Sequence, residues 1–170
     1  EVFLMVPGNT LNTHREQIDR YIQDNKPVII SVNFIADEPS AYAFFGNAKR
    51  YGNLKEKRAK RKVIISSNVK TDNENDIVVN YHSLINRGYK YFENSTIMLL
   101  NLLKRVNPSK ITIAGFDGFD SKSEKNYADS SYQNERHVDE FEVLNKEIST
   151  MYKEIVETMS PNCDFKFITP

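Results

Sequence analysis

Short apolar runs alternate with amphipathic stretches along most of this chain, and this alternation restricts its fold more than any other feature. Six apolar runs predict strands, at residues 2–6, 28–32, 41–45, 63–66, 111–114 and 165–168. The runs 28–32 and 111–114 are apolar at nearly every position, which is typical of central strands that are covered on both faces. Repeated βα units of this kind predict an α/β fold, specifically a Rossmann-like three-layer α/β/α sandwich with a mainly parallel sheet.

The stretches between the runs predict three main helices. Thr13, followed three residues later by Glu16, has the pattern of a capping box and predicts the start of the first helix. Asn94 or Ser95 is expected to cap a second helix, which is apolar almost all round and therefore buried. A third helix is predicted over residues 138–159, where apolar side chains recur at helical spacing.

The length of 170 residues predicts one domain spanning positions 1–170. No apolar run reaches the roughly 20 residues that a membrane helix needs, and the single Cys163 cannot form an internal disulfide. A cytoplasmic protein without a membrane span is therefore expected. Because the chain begins inside one predicted strand and stops just after another, we expect it to be excised from a longer protein.

The charge balance argues against nucleic acid as a partner. Lys plus Arg and Asp plus Glu number 23 each, so no overall field attracts a polyanion. The run 55–62 is the one dense basic segment. A run this short before a strand is typical of a solvated helix or loop, and RNA binding is the less favoured alternative. Residues 70–76 and 117–136 are predicted to be exposed loops, the second long enough to be functional or mobile.

Small polar residues follow the predicted strands, at the place where open parallel sheets bind ligands. After the first strand, Gly8 lets backbone amides approach a ligand, and Asn9 and Thr10 can bind phosphate, ribose or base. Asn33 and Asn47 follow the next two strands and can recognise a base or a ribose hydroxyl. Each of these residues is also common in turns, so a purely structural role stays open for each one.

Four further residues complete the predicted site. Asn94 and Ser95 open a helix whose free amides favour an anion, although capping alone would explain them. Asp117, between two glycines, can hold a sugar hydroxyl or act as a base, or can form a turn. His137 precedes the last helix and can act as a general acid or base; the alternative is an exposed histidine. The chain lacks the GxGxxG, Walker and DxD patterns, so we expect neither a metal nor a cofactor beyond a nucleotide ligand.

With these residues in view, the sequence resembles two known groups of proteins. The order of short motifs at 8–10, 33–34, 47, 94–96 and 113–117 is similar to that of bacterial CMP-sialic-acid-dependent sialyltransferases. More closely, the strings at 31–34, 49–51, 66–69 and 114–119 resemble the C-terminal domain of HMG-CoA-lyase-like proteins of the 4-hydroxy-2-oxovalerate aldolase type. In those proteins a TIM-barrel lyase precedes this domain.

The sialyltransferase resemblance implies that Gly8, Asn9, Asn33 and Ser95 line the nucleotide and its phosphates. It also implies that His137 corresponds to a catalytic histidine and that the reaction needs no metal. The aldolase resemblance implies an N-terminal barrel as a partner in the parent chain.

Two functions are left open by these observations. One is a nucleotide or nucleotide-sugar binding domain, glycosyltransferase-like in character, that serves surface-polysaccharide biosynthesis. The other is a non-catalytic docking or dimerisation module of an aldolase. Fold alone does not decide between them.

Overall fold

A seven-stranded sheet organises the chain, and every strand pairing within it is parallel. The computed structural model describes residues 1–38, 41–54, 61–123, 125–129 and 138–170. The strands are β1 (Val2–Met5), β2 (Val28–Val32), β3 (Tyr42–Phe45), β4 (Lys62–Ser66), β5 (Ile77–Val79), β6 (Lys110–Ala114) and β7 (Asp164–Phe167). Their order across the sheet is β5-β4-β3-β2-β1-β6-β7.

Helices cover both faces of this sheet. They are α1 (Thr10–Thr13), α2 (Arg15–Asn25), α3 (Ala48–Asn53), α4 (Ser95–Val106) and α5 (Phe141–Met159). Alternate residues of β1 show the two faces: Leu4 lies in the core cluster that contains α4 and α5, whereas Phe3 lies in the cluster with Ile18 of α2. The predicted Rossmann-like three-layer α/β/α sandwich is thus confirmed.

The two long helices form where the apolar patterns predicted them. Eight of the residues of α4 are buried, and Asn94 caps its start by accepting hydrogen bonds from the backbone amides of Thr96 and Ile97. In α5 the buried residues recur at helical spacing, from Phe141 to Met159. Because these helices carry most of one core layer, their burial contributes much of the hydrophobic stabilisation on that face.

The predicted start of the first helix is wrong. Thr13 ends the short helix α1, and α2 begins at Arg15 after His14, without any side-chain cap. The Thr13 hydroxyl pairs instead with Nδ1 of His14 at 2.9 Å, so the capping box with Glu16 does not form. The sequence interpretation also missed β5, which has only three residues, and the short helix α3.

The loops agree with their predictions where the structure describes them. Residues 70–76 are largely exposed, but they fold around the buried Asp76, whose carboxylate accepts hydrogen bonds from Tyr51 at 2.5 Å and Thr71 at 2.7 Å. Residues 55–60 of the basic run and residues 124 and 130–136 of the long loop lie outside the described residues. Among the helices that are described, none combines the length and the apolar character needed to cross a membrane.

The strand order places a topological switch point between β1 and β6. From β1 the chain adds β2 to β5 in one direction, and it then returns to place β6 and β7 on the other side of β1. Met5 is in register with both Ser31 of β2 and Ala114 of β6. The chain continues from β1 to α2 on one face of the sheet and from β6 to α5 on the other. Ligands of open α/β sheets bind in the crevice at such a point.

Candidate functional site

A cavity of about 500 Å³ lies in the crevice at the switch point. Its walls come from the segments after β1, β2 and β6, the start of α4, and one face of α5. This volume lies within the range of pockets that hold small molecules and cofactors. The main lining residues are Pro7, Gly8, Asn33, Asn94, Ser95, Phe116, Asp117, Phe119, Asn145, Ser149, Tyr152 and Phe167.

Two glycines let the segments after β1 and β6 approach closely. The Gly8 amide donates to the Gly115 carbonyl at 3.0 Å, and a Cβ on Gly8 would lie only 2.4 Å from that same oxygen. Gly115 has a φ of +76°, and a Cβ there would lie 2.0 Å from the Val6 carbonyl oxygen. Side chains at either position would therefore push the two segments apart and open the floor of the cavity.

Asp117 joins the same two segments through its carboxylate. One carboxylate oxygen accepts a hydrogen bond from the Thr10 amide at 2.8 Å, and the other accepts from the Thr10 hydroxyl. Asp117 lines the cavity and is exposed, whereas Thr10 does not line it. The carboxylate thus fixes the loop after β1 while keeping lone pairs that a ligand hydroxyl can reach.

Asn33 adopts a left-handed conformation, with a φ of 59°, at the end of β2. Its Oδ1 accepts a hydrogen bond from the Gly46 amide at 3.3 Å. Within the described part of the chain, its Nδ2 has no hydrogen-bond acceptor. Since Asn33 lines the cavity, this group is available to a ligand.

The start of α4 forms the polar wall of the cavity. The side chain of Asn94 accepts from the amides of Thr96 and Ile97, both at 3.1 Å. The next residue, Ser95, lines the cavity, and Gly46 lets the end of β3 approach it, because a Cβ on Gly46 would lie 2.7 Å from Ser95 Oγ. The positive end of the helix dipole is therefore directed at the cavity, where it favours an anion.

A smaller pocket of about 180 Å³ adjoins this polar wall and brings in charged side chains. It shares Asn33 and Ser95 with the main cavity and adds three charged residues, Arg50, Lys90 and Glu93. The Lys90 ammonium lies 3.2 Å from the Glu140 carboxylate, and hydrogen bonds to Tyr91 and Glu140 raise the pKa of Lys90. Lys90 is therefore charged at neutral pH but is paired with Glu140, so the Arg50 guanidinium is the group that adds positive charge beside the helix start.

An aromatic wall, made of Phe116, Tyr152 and Phe167, faces the polar one. Tyr152 is its centre, with ring centroids 6.0 Å from Phe116 and 5.5 Å from Phe167. Burial raises the pKa of Tyr152 to about 12, so its phenol is neutral at physiological pH. Sequence reasoning missed this wall, although Tyr152 lies four residues after the buried Ile148, on the same side of the helix.

Asn145 of α5 was also missed, and it holds the cavity rim. Its Oδ1 accepts a hydrogen bond from the Phe119 amide at 2.9 Å, and its Nδ2 donates to the Phe119 carbonyl at 2.7 Å. The sequence does place Asn145 on the apolar face of this helix, because it lies four residues after Phe141 and three before Ile148. A polar residue on such a face needs a partner.

The structure brings together most of the predicted site, but not all of it. Five predicted residues line the main cavity: Gly8, Asn33, Asn94, Ser95 and Asp117. Asn47 lines the adjoining pocket and caps α3 by accepting from the Arg50 amide at 3.0 Å. Asn9 and Thr10 line neither pocket, and His137 lies outside the described residues.

No group of three or more His, Cys, Asp or Glu side chains gathers into a metal site in the described ranges. Comparisons with models of protein families, with curated proteins and with solved structures found no match to this chain. The assignment of a function therefore depends on the geometry and chemistry of the cavity.

Proposed function

We propose that this domain binds a nucleotide or a nucleotide-activated sugar in the cavity at the switch point. The observation that carries the proposal is the pairing of two unlike walls across one cavity of about 500 Å³. One wall is a helix start beside Arg50 and the ion pair of Lys90 with Glu140, and the other is aromatic. A nucleotide combines the two matching parts, an anionic phosphate and a planar base.

The phosphate end of the ligand is assigned to the start of α4. Ser95 offers a hydroxyl there, the helix dipole is positive there, and Arg50 and Lys90 line the adjoining pocket. Helix starts bind phosphate in many α/β proteins for these same reasons. The ribose or sugar hydroxyls then fall near Asn33 Nδ2 and the carboxylate of Asp117.

If the domain is a transferase, its polar groups would stabilise the phosphate that leaves the sugar. The Ser95 hydroxyl and the positive end of the α4 dipole would stabilise the phosphate that departs. Asp117 would accept the proton of an acceptor hydroxyl, and His137 would assist as general acid or base. The motif resemblances support a role in surface-polysaccharide biosynthesis, in the cytoplasm, as the C-terminal module of an aldolase-type protein.

Thermal denaturation with CMP, CDP, UDP and GDP tests the binding proposal. A nucleotide at one hundred times its Kd would stabilise the folded state by about 2.7 kcal/mol. This corresponds to a rise in Tm of roughly 5–10 °C for a domain of this size. No rise with any of the four would contradict the proposal.

A matched pair of variants tests whether the nucleotide binds in the cavity. Asn33→Gly removes the amide at the cavity while it keeps the left-handed backbone accessible, and it should weaken nucleotide binding. Asn107→Gly makes the same change at another left-handed position, with a φ of 54°, at the opposite end of α4. Equal effects of the two variants on the Kd would argue against the cavity.

The docking module is the second candidate, and the edge strand β5 favours it. Its side chains Ile77 and Val78 are 51% and 54% exposed, and β5 has a pairing partner on one side only in the described sheet. Apolar edge strands of this kind can pair with another chain. Dimerisation in light scattering, combined with no nucleotide-induced rise in Tm, would favour this candidate.

A further inference from the structure

The cavity is chemically asymmetric along its length. The groups at the β2 and α4 side are Asn33, Asn94 and Ser95, whereas the groups at the β6 and β7 side are the aromatic rings of Phe116, Tyr152 and Phe167, beside the Asp117 carboxylate and the Ser149 hydroxyl. A ligand that fills the whole cavity must therefore carry a polar or anionic part at one end and an apolar part at the other. This asymmetry fixes the direction in which the ligand lies.

Phe167 is a large aromatic residue that the hydrophobic core does not bury. It is the last residue of the edge strand β7, and 43% of its surface is accessible. It contacts Tyr152, with ring centroids 5.5 Å apart, and it lines the cavity. A large aromatic ring that remains exposed and lines a cavity is a surface on which a planar ligand can stack.

The neighbouring rings hold this wall in place. Tyr152 contacts Phe116 at 6.0 Å, Phe165 at 6.1 Å and Phe167 at 5.5 Å between centroids. Its hydroxyl makes no hydrogen bond to any residue in the described ranges, although the side chain lines the cavity. The wall therefore combines a fixed apolar surface with a neutral hydroxyl that a heteroatom of a ring can engage.

We infer that the aromatic wall is the base subsite: the planar heterocycle stacks on Phe167 and Phe116, hydrogen-bonds to Tyr152, and directs its phosphate across the cavity to the start of α4. This inference rests on the proposed nucleotide function and assigns an orientation to the ligand. The lining of the cavity decides this orientation of the ligand. The opposite orientation would place the phosphate against three aromatic rings and an uncharged base against the positive helix start. Charged groups avoid apolar surroundings without a partner.

A single tryptophan reports directly on this subsite. The chain has no Trp, so Phe167→Trp introduces one fluorophore at the proposed stacking surface. The matched control is Val78→Trp, which places the fluorophore at a similarly exposed position on the other edge strand, with 54% of Val78 accessible. Nucleoside diphosphates should quench the emission of Phe167→Trp in a saturable manner, whereas ribose 5-phosphate, which has no base, should not.

A second variant removes the ring instead of replacing it. Phe167→Ala should weaken nucleoside diphosphate binding roughly ten-fold, as expected for the loss of one stacked aromatic ring. Its affinity for ribose 5-phosphate should equal that of the unmodified chain. Because Phe167 is partly exposed on an edge strand, the variant should retain its cooperative thermal transition.

The outcomes separate this inference from the proposed function. If nucleotides raise the Tm of the unmodified chain but quench both tryptophan variants equally, or neither, the base lies elsewhere and only the inference fails. The inference alone also fails if Phe167→Ala lowers the affinities for the diphosphate and for ribose 5-phosphate by the same factor. If no nucleotide changes the Tm, the proposed function fails and the inference fails with it.

Discussion

Asn145→Ala tests how the rim of the cavity is held. The substitution removes both hydrogen bonds between the Asn145 side chain and the backbone of Phe119, of 2.9 and 2.7 Å. A hydrogen bond of this type contributes about 1 kcal/mol net, so the loss should be about 2 kcal/mol. For a domain of this size, that loss should lower the Tm by roughly 4–8 °C in a calorimetric or circular dichroism scan.

The neighbouring position supplies the control. Lys146→Ala changes an exposed residue of the same helix that makes no side-chain hydrogen bond or ion pair in the described structure. Its Tm should lie within about 1 °C of the unmodified value, as for most surface substitutions. If Asn145→Ala and Lys146→Ala shift the Tm equally, then Asn145 does not hold the rim and the account of this wall is wrong.

Three further predictions follow from particular contacts. Gly8→Ala should strongly destabilise the domain, because the new Cβ would lie 2.4 Å from the Gly115 oxygen. Gly52→Ala should not, because a Cβ there meets no atom within 4 Å. Urea denaturation compares the free energies of unfolding of the two variants. Cys163 is 4% exposed and burial raises its pKa, so a thiol reagent at pH 8 should label it only after unfolding. Burial raises the pKa of Tyr152 from 10.0 to about 12. The contribution of the neutral phenol to folding stability is therefore complete below pH 10 and is lost as the pH rises toward 12. The free energy of unfolding of Tyr152→Phe should decline less steeply than that of the unmodified chain over this interval.

The architecture could be read from the sequence because burial on both faces leaves a strong signal. The runs 28–32 and 111–114 are apolar at nearly every position, and they became β2 and most of β6, which flank β1 at the centre of the sheet. The long helix predicted over 138–159 matches a short 3₁₀ turn followed by α5. The edge strand β5 was missed, because it has only three residues, of which Ile77 and Val78 are exposed and Val79 is half-buried, and so short a strand carries little pattern.

The polar half of the cavity could be predicted, whereas its aromatic half could not. Asn33 and Ser95 follow strands or open a helix, and the switch-point rule places such residues together. Phe116, Tyr152 and Phe167 come from three separate elements, and in sequence each looks like an ordinary core residue. Only the packing of α5 against β6 and β7 reveals that these rings share a cavity wall.

The capping box failed for a local reason. The rule compares Thr13 with Glu16 only, and it does not consider the residues before Thr13. In the structure α1 continues through Thr13, so the threonine is already helical and cannot act as a cap. His14 occupies the junction between the two helices.

The most direct test of the central claim is a two-dimensional NMR titration of the isotopically labelled domain with a nucleoside diphosphate. If the cavity at the switch point is the binding site, the amide signals of Gly8, Asn33, Ser95 and Gly115 will shift together and saturate at one Kd. Saturable shifts confined to the edge strand β5, or no saturable shift anywhere, would contradict the account.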